Sequence, residues 1–120
     1  MKLLAFCTAL LVAAPAFADT ITKADADKFI AFYDKLADGV VADKGNCSKM
    51  ATDMNAAIDA NKAILDAANN AMKAGKRMPD DALHHVMDTS KRMTEAMMEK
   101  NCHQDKGVQA ALLKLPNKKH

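Results

Sequence analysis

Tryptophan is absent from this chain of 120 residues, one tyrosine and four phenylalanines are all its rings, and three prolines and four glycines are its only strong turn formers. A β-sandwich or barrel needs a turn signal every few residues, and nothing here supplies one. A few long helices joined by short loops suit so sparse a set of turn residues. No Gly-rich phosphate loop, no G-x-S-x-G and no H-E-x-x-H occurs, so catalysis is not expected. Covalent haem is excluded as well, because C-x-x-C-H would need a cysteine where Glu99 stands before Cys102-His103. Charge of one sign is lacking too: 17 basic residues face 15 acidic ones, for a net +2. Such balance does not suit nucleic acid, whose binding needs a basic face with many phosphate contacts.

The longest hydrophobic run lies at the start. MKLLAFCTALLVAAPAFADT sets Lys2 before an apolar stretch and closes on Ala16-Phe17-Ala18, a small-x-small cleavage signal. Residues 1–18 are therefore expected to be a secretory signal peptide. The run is shorter than the roughly 20 residues that span a bilayer, so no transmembrane anchor is expected after cleavage. Phe6 is too large for a lipobox before Cys7, which leaves with the signal. Localisation is expected to be periplasmic or secreted.

The remainder reads as one helical bundle domain over 19–115, with a disordered basic tail over 116–120. Phe29, Tyr33, Leu36 and Val40 recur at helical spacing from Lys23 to Ala42, behind a cap at Thr22. Asn46 is a good cap for a second helix from Cys47 to Ala74, with Met50, Met54, Ala57, Ile58, Ile64, Leu65, Ala68 and Met72 on its apolar face. Gly75 ends that helix. Pro79-Asp80-Asp81 opens a third, whose stripe is Leu83, Val86, Met87, Ser90, Met93, Met97 and Met98. A short fourth helix follows Asp105. The expected fold is all-α: a small antiparallel bundle of three long helices and a short C-terminal one, with helices two and three as an αα-hairpin.

Cys47 and Cys102 are the two cysteines beyond the signal, and the hairpin brings both to its open end. In an oxidising compartment they are expected to form a disulfide stapling helices two and three. A loop of that length gives roughly 4 kcal/mol on the chain-entropy model, which matters for a core so poor in rings.

Two other clusters carry chemistry. Met50, Met54, Met97, Met98 and His103 gather soft donors near the cysteines, and thioethers and thiolates select copper(I). Against this, methionine fills irregular helix interfaces well, and a disulfide withdraws both thiolates. His84 and His85 each have a carboxylate four residues away, but adjacent residues on a helix point about 100° apart, which favours surface ion pairs over a metal site. Phe29, Ile30, Phe32 and Tyr33 nearly encircle helix one and offer a surface for an unknown protein partner or for self-association. The leading expectation is a small exported non-catalytic binding or structural module without a cofactor. The alternatives are a copper-binding protein using the Met/His/Cys cluster, and a periplasmic stress chaperone.

Overall fold

The computed structural model describes residues 20–116; the expected signal peptide over 1–18 and most of the expected disordered tail over 116–120 lie outside them. Among the described residues there are five α-helices: α1 (Lys23–Ala42), α2 (Cys47–Ala60), α3 (Lys62–Lys73), α4 (Asp80–Met98) and α5 (Lys106–Leu112), with a 3-10 segment (Glu99–Gln104) between the last two. Among the described residues no helix is long and apolar enough to cross a membrane.

The caps act as the side chains dictate. Thr22 Oγ1 accepts from the Asp25 N–H at 3.2 Å, Asn46 Oδ1 from the Lys49 N–H at 3.1 Å, and Asp105 Oδ2 from the Val108 N–H at 3.1 Å. Each satisfies a donor that the helix start would otherwise leave unpaired. Gly75 takes φ +79, and the N–H groups of Gly75 and Lys76 close back on the carbonyls of Met72 and Ala71. That pair of bonds is the Schellman termination that glycine permits.

The continuous helix expected over 47–74 is instead two helices. Asn61 breaks it: its side-chain amide donates to the Ala57 carbonyl at 2.8 Å, while its own N–H turns to Ile58 at 3.1 Å. Asparagine here takes over the carbonyl that a continuous ladder would have used.

The hairpin of helices two and three is corrected too. α4 packs along α1, whereas α2 packs on α1 and on α5. Cross-links fix the main pair: Asp34 accepts from Thr89 Oγ1 at 2.9 Å, Tyr33 Oη meets Ser90 Oγ at 2.7 Å, and Arg92 donates to Asp38 at 2.9 Å. Their order shows that α1 and α4 run parallel, with α2 and α3 as the return between them. The start of α1 is held to the turn before α4, where the Ile21 N–H donates to the Arg77 carbonyl at 2.8 Å.

The same links set the rotation of α4. Ala82, Thr89, Met93, Ala96 and Met97 face inward, while Leu83, Met87 and Met98, expected on the buried stripe, are 41%, 58% and 58% exposed. The part-buried hydrogen bonds from Thr89 to Asp34 and between Tyr33 and Ser90 outweigh the best apolar face of an isolated helix.

Candidate functional site

Cys47, at the first residue of α2, is joined to Cys102, in the 3-10 segment that extends α4, across a Cα–Cα distance of 4.9 Å. The expected pairing is present, but it staples α2 to the extension of α4 and not to the adjacent helix. The chain reaches this position by reversing at Lys100 and Asn101, which take φ +53 and +56. Two consecutive left-handed residues without glycine are costly, and the covalent bond beside them holds the turn.

Cys102 belongs to the buried core of the described residues. Met50, Met54, Val108 and Cys102 are at most 1% exposed, and Met93 and Met97 are 3% and 4%. Gly107 lets α5 approach α2 closely: a Cβ placed there would stand 2.8 Å from the Cβ of Ala51.

The methionine set does not act as one group. Met50, Met54 and Met97 share the core, Met98 is turned to solvent, and both thiolates are consumed in the disulfide. His103 is half-buried, and its Nδ1 is buried without a hydrogen-bond partner. Among the described residues no three His, Cys, Asp or Glu side chains converge as metal ligands. His85 is drawn not to the carboxylate on its own helix but across to Asp34 on α1, at 2.9 Å.

One ionised knot sits beside the disulfide. Asp43 is 7% exposed and lies 3.3 Å from Lys49 Nζ, which also reaches Asp53 at 2.8 Å. Burial, and then the neighbouring Asp53 carboxylate, hold the Asp43 carboxyl above its ordinary pKa, with Lys49 opposing. The hydrogen bond from Lys49 holds Asp53 below its own, and the two carboxylates together hold Lys49 above the usual value. Charge is thus shared within the triplet.

The expected partner surface on α1 divides. Phe32 is buried in the core, Tyr33 is tied to Ser90, Ile30 is half-buried, and Phe29 stacks on Tyr33 at 5.5 Å between centroids. Phe29 also forms one wall of a groove of about 570 Å³ between the start of α1, the α3 helix and the turn after it. Ala63, Ala67 and Ala71, at successive helical turns of α3, give it a floor of methyl groups, while Ile21, Ile64, Met72 and Met78 line its sides. Volume and apolar lining fall in the range of small-molecule sites, roughly 300–1,000 Å³.

Sequence reasoning missed this groove because it set Ile64, Ala68 and Met72 on the buried face of one continuous helix, whereas all three line the open groove. The available signal was the stretch Ala67-Ala68-Asn69-Asn70-Ala71, a helix segment with little to bury on any face. No family model matches the chain, and neither curated proteins nor solved structures provide a match.

Proposed function

We propose that this protein is an exported, non-catalytic binding module whose binding surface is the groove between α1 and α3. The observation that carries the reading is an open apolar concavity of about 570 Å³ in a molecule whose opposite end is closed to near-complete burial. Export is supported by the N-terminal apolar run and by a disulfide that persists only in an oxidising compartment. Among the described residues that line the groove there is no serine, cysteine or histidine. The test is titration with the uncharged fluorophore Nile red, whose emission rises in apolar surroundings. One equivalent is expected to bind. Ala67→Trp, at an exposed position on the groove floor, should abolish binding without lowering the melting temperature. No binding by the unaltered protein, or undiminished binding by the variant, removes the proposal.

A second reading rests on α4. Leu83, Met87 and Met98 fall within about 60° of arc on its outer face at 100° per residue, an apolar stripe suited to self-association or to shielding an aggregating client. Sedimentation at rising protein concentration tests it. A monomer throughout that gives an aggregating client no protection removes it.

A further inference from the structure

The groove is apolar within and charged at its rim, and the rim is not balanced. Lys28 and Lys76 both border it, and among the described residues neither forms an ion pair. Asp25 is the one carboxylate there among the described residues. Positive charge is therefore in excess at the mouth. Thr22 and Asp25, at the start of the 20-residue helix α1, also line the groove, and there the Thr22 hydroxyl and the Asp25 carboxylate already answer the helix end, so the preference for an anion rests on the two lysines.

From this complementarity we infer that the groove takes a single-chain anionic amphiphile, an acyl carboxylate, with its tail over the alanine floor and its head at the lysine-bearing rim. The inference rests on the groove being the binding surface. Size favours a small molecule over a protein: the lining surface falls far short of the roughly 800 Å² per partner that a stable protein interface covers. Length agrees as well. From Ala63 to Met72 the α3 wall rises about 14 Å at 1.5 Å per residue, the reach of a medium acyl chain lying extended. Alanine methyls keep the slot open where leucines would fill it.

The experiment displaces Nile red from the oxidised protein with decanoate, decanol and decyltrimethylammonium, each below its micelle concentration. Decanoate is expected to compete best and decyltrimethylammonium worst. The double variant Lys28→Gln/Lys76→Gln should weaken decanoate about fivefold, as two exposed charge contacts allow, and leave decanol unchanged. Added salt should reduce the preference in parallel. Equal competition by all three, or decanoate binding indifferent to the double variant, overturns the head-group assignment while the groove reading stands. Absence of Nile red binding, or failure of all three to displace it, overturns both. A dimer that excludes the dye would put a second copy in the groove and also overturns the inference.

Discussion

The two ends of this molecule are built from helices of similar length and opposite character. α2 buries four of its 14 residues, two of them methionines with at most 1% exposure. α3, which continues it after Asn61, buries only Leu65 of 12. At the α2 end, long unbranched side chains fill the space between helices and a covalent bond closes it. At the α3 end, alanines leave that space open, and the opening is the groove. Packing density follows side-chain volume more than helix number.

The largest expected effect breaks the closed end directly. Replacing Cys47 and Cys102 together by alanine removes the constraint on a sequence separation of 55 residues and should cost about 4 kcal/mol in denaturant unfolding. Amide exchange in α5 should quicken while that in α3 stays as it was, and equal acceleration in both would erase the contrast between the ends.

Next comes a pair of truncations that sharpens it. Met54→Ala, in the core, is expected to cost about 3 kcal/mol because a cavity is left behind. Met72→Ala, on the groove wall, should cost less than about 1 kcal/mol. Chemical denaturation of both variants measures the difference, and comparable losses would show that the open end is as tightly packed as the other.

Gly107→Ala follows. Helix propensity alone would stabilise α5 by about 1 kcal/mol, but the new methyl meets Ala51 at 2.8 Å, and overpacking costs about 1–3 kcal/mol. A net loss of about 1 kcal/mol is expected, read from the unfolding midpoint. A gain would mean that α5 can move off α2.

The smallest effect lies in the ionised knot. Since the Asp43 pKa is raised on folding, ionisation opposes the folded state as pH rises through the interval between the unfolded and folded values. Asp43→Asn should raise the melting temperature at pH 8 relative to the unaltered protein. The gain should vanish below both values, where the carboxyl is already protonated. A loss at pH 8 would show that the contact with Lys49 outweighs burial.

The sequence by itself determined the all-helical class, the bounds of α1, the caps at Thr22 and Asn46, the stop at Gly75 and the pairing of Cys47 with Cys102. Each is a local decision, taken by one or two side chains against their own backbone, or a choice among few partners. Only the tertiary structure decided which helix lies on which, how α4 is rotated and where the chain leaves a space. Those outcomes depend on Asp34 meeting Thr89 and His85 across 51 to 55 residues of chain, on Asn61 turning α2 away from α3, and on whether facing side chains together fill a volume. Periodicity along one segment records which face is apolar, but carries no information about the size of what stands opposite.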